Sequence, residues 1–181
     1  AAVPDGMQCV YWDYNTAVSD ERFDMQIRLC GKPVFAGAVW SWMGYGLAYD
    51  YTVEACVKAL GLCRKNGISE VFVTTWGDAQ SEILQTANLL GAQLFAEAGY
   101  RAGEEWDEAA FNRRLKFCAG MNAEDLRLIQ GLDLVPGYPA DANPGCACAS
   151  KSLMWQDIME GLFDKNYEGR PLRAHYEILG A

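Results

Sequence analysis

Trp76-Gly77-Asp78 sets an indole and a carboxylate two residues apart, directly after the apolar run Val71-Phe72-Val73-Thr74-Thr75. An indole face can stack on the apolar C–H face of a sugar, and a carboxylate accepts hydrogen bonds from its hydroxyls. The structural alternative is a tryptophan packing a strand end and an aspartate capping the next helix. Two other points in the chain have a similar make-up. Tyr11, Trp12 and Tyr14 end one apolar run, and Trp40, Trp42 and Tyr45 follow another.

The elements that would position these groups are legible in the periodicity. Met7 to Tyr14 predicts a strand, and Ser19 a cap for a helix with Phe23, Ile27 and Cys30 on one face, ended by Gly31. Val34 to Trp42 predicts a second strand, running into a loop over Met43–Tyr51. Thr52 is expected to cap a helix whose inward stripe is Val53, Cys56, Val57 and Leu60, stopped by Asn66-Gly67. The β-branched run from Glu70 to Thr75 predicts a third strand, buried on both faces. A third helix is expected from about Ser81 to Ala98, with Glu82 complementing its dipole.

Strands separated by single helices imply right-handed crossovers and a parallel sheet. All three strand ends then point to one edge, where ligands of α/β sheets bind. Packing alone does not call for aromatics at that one edge, so their clustering is a functional signal.

Beyond Arg101 the rhythm changes. Helices are expected over about Glu104–Ala119, with Phe111, Leu115 and Cys118 on one face, and after Asn122 as cap. A Pro-rich loop spans Leu132–Pro144. Leu153–Phe163 reads as a buried helix with Trp155 in the core, and Tyr167–Ala181 as a terminal helix in which His175 is structural. The expected fold class is therefore α/β: three βα units over residues 1–100 and a helical C-terminal region over 101–181.

A formal net charge of −9 leaves no basic patch for phosphate backbones or anionic membranes, and Arg113-Arg114 is expected to face solvent. No apolar run approaches the roughly 20 residues of a membrane span. Of seven cysteines, Cys9, Cys30, Cys56, Cys63 and Cys118 fall at apolar positions, as reduced, buried thiols of a cytoplasmic protein do. Cys146 and Cys148 lie in a Pro/Gly/Ala loop. With one histidine in the chain, at 175, no metal or other cofactor is expected.

The order of the motifs Tyr11-Trp12-Asp13-Tyr14, Phe35-Ala36-Gly37-Ala38-Val39-Trp40-Ser41-Trp42 and Thr74-Thr75-Trp76-Gly77-Asp78 resembles the sixth to eighth strands of family-20 glycoside hydrolases, the β-N-acetylhexosaminidases, in their hexosaminidase-D-like branch. Asn143-Pro144, Ser152-Leu153-Met154-Trp155-Gln156-Asp157 and Gly161-Leu162-Phe163-Asp164 resemble that branch's helical C-terminus. The likeness covers about residues 7 to 178. It implies the last three βα units of a TIM (β/α)8 barrel, which needs eight units and about 250 residues.

Family members remove terminal N-acetylglucosamine or N-acetylgalactosamine with retention, the substrate's acetamido oxygen being the nucleophile. A Glu acts as acid/base, and the Asp before it orients the acetamido group. That pair closes the fourth strand, and no Asp-Glu dyad precedes Tyr11 here. No catalytic residue is therefore expected in this chain, which taken alone should be inactive.

By resemblance, Trp12 and either Trp40 or Trp42 line the acetamido-methyl pocket. Tyr14 or Tyr45 donates to the acetamido oxygen, Trp76 stacks on the sugar, and Asp78 binds its outer hydroxyls. Asp13 is a pocket residue or a rim salt bridge. The run Ala79-Gln80-Ser81-Glu82 departs from the Asp-Gly-Ala-Glu usual in the branch, and Gly145–Ala149 is an insert. The starting Ala fits a processed chain or a piece of a larger one. The expected partners are an N-acetylhexosamine-terminated glycan, a further copy, or the barrel's N-terminal half, with neither nucleic acid nor membrane. The alternatives are a non-catalytic carbohydrate-binding or interaction module of three βα units, and an unrelated α/β enzyme.

Overall fold

The computed structural model describes residues 3–42, 44–76, 83–101, 103–137 and 149–180. Three strands, β1 (Val10–Trp12), β2 (Val34–Val39) and β3 (Val71–Thr75), form a parallel sheet in the order β1-β2-β3. The register sets Tyr11 beside Phe35 and Trp12 beside Ala36, and Ala36 in turn beside Phe72. Helices α1 (Asp20–Cys30) and α2 (Tyr49–Lys65) make the crossovers, and a 3-10 turn (Gln85–Asn88) leads from β3 into α3 (Leu89–Tyr100). When parallel strands pair in chain order, crossovers of one hand lay their helices on one face of the sheet. This is the arrangement of consecutive barrel units, and a doubly wound sheet would cover both faces.

Side-chain alternation then divides the strands. Tyr11 and Phe35 point under the helices and meet Phe23 of α1 with Ala59 and Cys63 of α2. Val39, with Val71 and Val73, packs against Cys56 and Leu60 of α2 and Leu90 and Leu94 of α3. Two glycines allow α3 to sit this close. A Cβ on Gly37 would stand 2.8 Å from the Phe95 ring, and one on Gly91 would run into Val39 and stand 2.9 Å from Val73.

The other face carries Val10, Trp12, Phe72 and Thr74, with Trp12 67% and Phe72 44% exposed. The expectation that the third strand is buried on both faces is thereby corrected. The Val71-Phe72-Val73 run lies under helices on one side only, and Phe72 falls on the other.

Boundaries differ from the periodicity in ways that have local causes. Helix α2 begins at Tyr49, so Thr52 is no cap: it sits buried in the first turn, where its hydroxyl accepts the Trp40 N–H at 3.0 Å. In α4 (Glu108–Ala119), Asp107 caps by accepting the Ala110 N–H. In α5 (Ala123–Gln130), Asn122 caps by accepting the Glu124 N–H, as expected. Phe111 and Leu115 of α4 and Leu126 of α5 share the core of α2 and α3, so one core runs from the sheet to residue 126.

Arg114 turns inward from solvent, both guanidinium arms reaching the buried Glu97 carboxylate, one at 2.6 Å. Cys56 and Cys63 are buried, and burial pushes both thiols up to about 12, but Cys118 is exposed where burial was expected. Cys146 and Cys148 lie outside the described residues.

The C-terminal helices are α6 (Ala149–Trp155), α7 (Asp164–Tyr167) and α8 (Leu172–Leu179). The expected buried helix over 153–163 is corrected: α6 stops at Trp155, and Met154, Trp155, Ile158, Met159 and Leu162 are exposed. Polar side chains turn the chain there. Asp157 accepts the N–H groups of Met159 and Glu160, Gln156 bonds Phe163 N–H and Asp164, and Gly161 takes a φ of 58°. His175 Nε2 lies 2.7 Å from the Gly131 carbonyl, and the Tyr176 hydroxyl donates to Leu132 O at 2.9 Å, tying α8 to the end of α5. Among the described residues, no helix is long and apolar enough to cross a membrane.

Candidate functional site

The carboxyl ends of the three strands converge on Tyr14. Its ring lies 5.5 Å from that of Trp12, 5.8 Å from Trp42 and 6.4 Å from Trp76. The strand ends deliver one aromatic each: Trp12 is the last residue of β1, Trp42 follows β2 by three residues, and Trp76 follows β3 directly.

Hydrogen bonds orient the cluster. Trp76 Nε1 donates to the Tyr14 hydroxyl at 3.0 Å, and Thr74 Oγ1, which donates to the Gly37 carbonyl, lies 3.3 Å from that hydroxyl. The indole N–H takes a lone pair of the phenol, and because Thr74 gives its one proton to Gly37, Thr74 Oγ1 is left as an acceptor for the Tyr14 proton, for which a ligand would compete. Beside it, a hollow of about 450 Å³ opens on the uncovered sheet face, walled by Trp12, Tyr14 and Trp76 and floored by Ala36, Phe72 and Thr74. Its size lies in the range of small-molecule sites.

The remaining candidates occupy different positions. Trp40 is buried under the site: it stacks 4.5 Å from Trp42, meets Tyr51 edge-on, and donates Nε1–H to the Tyr14 carbonyl at 2.6 Å. Of the two tryptophans of that strand end, Trp40 is thus the support and Trp42 the partly exposed one.

Asp13 is buried and fully engaged within the fold. It accepts from the Tyr11 hydroxyl at 2.9 Å, from Asn15 N–H and side-chain amide at 3.1 Å each, and from Arg22 of α1 at 3.0 Å. Burial pushes its carboxyl up, but these hydrogen bonds together outweigh burial and hold it below the ordinary aspartate value. The geometry is that of the salt-bridge alternative. Asp78 and Glu82 lie outside the described residues.

Tyr45 stands on the β2–α2 loop, and its hydroxyl accepts Trp155 Nε1–H at 2.6 Å. Trp155 was expected in the core and is 70% exposed instead. The apolar spacing of its segment resembles a buried helix face, so nothing local marked its exposure. Thr74 and Phe72 were legible only as strand residues, because their face is decided by which side the helices take.

A second cleft, of about 170 Å³ between α2, α3 and α4, holds Glu97, Arg101 and Arg114, whose charges are paired with one another. Among the described residues, no group of three His, Cys, Asp or Glu side chains could hold a metal ion. The described side chains that line the Tyr14 hollow offer ring faces and hydroxyls, and they include no carboxylate, imidazole, thiol or amine.

Comparison with known proteins bears on the helices that follow. Residues 124–181 match the family model of the Glycoside Hydrolase 20C C-terminal domain. No curated protein matches the chain. The match runs from the first turn of α5 to the terminus, the region whose Ser152–Asp157 and Gly161–Asp164 motifs carried part of the resemblance. Residues 124–181 are thus similar to the C-terminal domain of family-20 glycoside hydrolases.

Proposed function

We propose that the three βα units are the closing segment of a (β/α)8 barrel, and that the Tyr14 cluster is the wall of a pocket for a terminal N-acetylhexosamine. The observation that carries this reading is the meeting of Trp12, Trp42 and Trp76 around one hydrogen-bonded phenol, at the end of a sheet face that no helix among the described residues covers. In a barrel, that face is the interior and the carboxyl ends of the strands form the mouth of the site.

Trp76 stacks on the C–H face of the sugar. The Tyr14 hydroxyl donates its proton to the acetamido oxygen, which as nucleophile needs orienting, and Trp12 and Trp42 enclose the acetamido methyl. Asp78 accepts from the outer hydroxyls. The Asp-Glu pair that protonates the leaving oxygen and steadies the acetamido group belongs to strands outside these residues, as does any pairing for the bare outer edges of β1 and β3. A cytoplasmic setting is part of this reading, in keeping with the free, buried thiols of Cys56 and Cys63.

The test is titration of the chain with N-acetylglucosamine and with glucose, followed by tryptophan fluorescence and NMR. The acetamido sugar should bind at roughly millimolar strength, with glucose weaker and Trp76→Ala abolishing both. A chromogenic N-acetylglucosaminide should show no turnover by the chain alone. Equal response to the two sugars would remove the acetamido pocket, and clear turnover would remove the external acid.

A further inference from the structure

The β2–α2 loop that carries Tyr45 is built against the C-terminal helices. Gly46 N–H donates to the Asp133 carboxylate at 3.0 Å, and the Ser150 hydroxyl of α6 donates to the same carboxylate. A Cβ on Gly44 would collide with that carboxylate, and one on Gly46 would stand 2.5 Å from the Ile129 carbonyl. Neither φ is positive, so close approach explains these two glycines. A second tie joins Asp50 N–H to Gln130 Oε1 at 3.2 Å, with Gln130 Nε2 returning to Asp50.

On the loop so clamped, the Tyr45 hydroxyl accepts from Trp155, the last residue of α6, whose ring remains 70% exposed. This is the same indole-to-phenol bond that joins Trp76 to Tyr14. In both pairs the indole N–H is satisfied while most of the ring stays open to solvent in one case and about half in the other.

Resting on the pocket reading above, we infer that Trp155 and Tyr45 form a second sugar platform: the C-terminal helical region supplies the outer wall of the site and stacks on the pyranose linked to the terminal N-acetylhexosamine. The placement carries the commitment to a second ring. Tyr45 lies three residues beyond Trp42 in the chain, on the loop that leaves the same strand end and that the C-terminal helices clamp. A linked sugar leaving that pocket offers a C–H face to the indole, and the Tyr45 proton is available to one of its oxygens. Asp133 is a positioning residue, which acts through Gly46.

The experiment compares N-acetylglucosamine with its β-1,4-linked dimer by NMR titration of the chain, Trp155→Ala and Tyr45→Phe. The unaltered chain should bind the dimer roughly ten-fold more tightly than the monomer, the gain of one well-stacked ring. Trp155→Ala should keep monomer affinity within about two-fold and lose the ten-fold preference, and Tyr45→Phe should lose about half of that preference on a logarithmic scale. Thermal unfolding of each variant, expected to match the unaltered chain, reports on folding separately. Equal affinity for monomer and dimer in the unaltered chain overturns the platform while leaving the pocket. So does a Trp155→Ala variant that keeps the preference. Binding of neither sugar by the unaltered chain overturns the pocket, and the platform with it.

Discussion

The two faces of the sheet are made from alternate residues of the same three strands, yet one is sealed and the other open. Under the helices, Phe35 and Val39 are fully buried, and glycines at 37 and 91 bring α3 into contact. On the opposite face, Trp12, Phe72 and Val10 remain between 44% and 67% exposed. Contiguous apolar surface of this kind on a soluble domain marks a place for something else to bind or pack. The contrast teaches that the apolar content of these strands is split: the covered half stabilises the βα units, and the open half carries the aromatics on which the proposed pocket rests.

The largest expected effect sets one face against the other. Phe35→Ala removes a ring that packs on Tyr11 and Phe23 and should cost about 3–5 kcal/mol in denaturant unfolding. Phe72→Ala, one face away, should cost about 1–2 kcal/mol, since its side chain is 44% exposed and gives up only part of a full burial. Comparable losses at the two positions would mean that the open face is covered in solution.

Next comes Gly91→Ala, which gains about 1 kcal/mol of helix propensity. The added methyl meets Val39 and Val73, and overpacking of about 1–3 kcal/mol should leave the variant less stable, with a lower thermal midpoint. An unchanged or raised midpoint would show that α3 sits less tightly on the sheet than described.

The smallest effect is acid sensitivity, and it belongs to the covered side. The hydrogen bonds from Arg114 hold the Glu97 carboxyl below its ordinary value of 4.5, and the network around Asp13 holds that group below 3.8. A carboxyl whose folded pKa is depressed contributes stability that is complete above its unfolded pKa and is lost as pH falls through the folded one. Stability should therefore be flat near neutrality and decline below about pH 4.5, where the unfolded chain binds more protons. Asp13→Asn should flatten part of that decline. A slope unchanged by the substitution would place Asp13 outside the acid transition.

Much of the local structure was legible in the residues themselves. Gly31 and Asn66-Gly67 end helices because they release the backbone into conformations a helix cannot continue, and Asn122 caps because its side chain reaches a free N–H. The stripe Val53, Cys56 and Leu60 and the βαβαβ order were equally plain, and with them the convergence of aromatics on one edge. Thr52 misled because a hydroxyl ahead of an apolar stripe resembles a cap, although its partner is the N–H of Trp40, twelve residues away. Trp155 misled because apolar spacing records which residues avoid water in general, and Gln156 and Asp157 end its helix through bonds made further along the chain.

What the sequence by itself determined is the three strands and the helices between them, their parallel order and the chemical character of the strand ends, because these follow from periodicity and from the one-handed connection between parallel strands. Which face of each strand the helices cover, which of Trp40 and Trp42 is buried, that Asp13 is held by Tyr11, Asn15 and Arg22, and that Trp155 meets Tyr45 were decided only by the tertiary structure. Those are relations between residues up to 110 positions apart, set by how whole elements pack, and no local pattern encodes them.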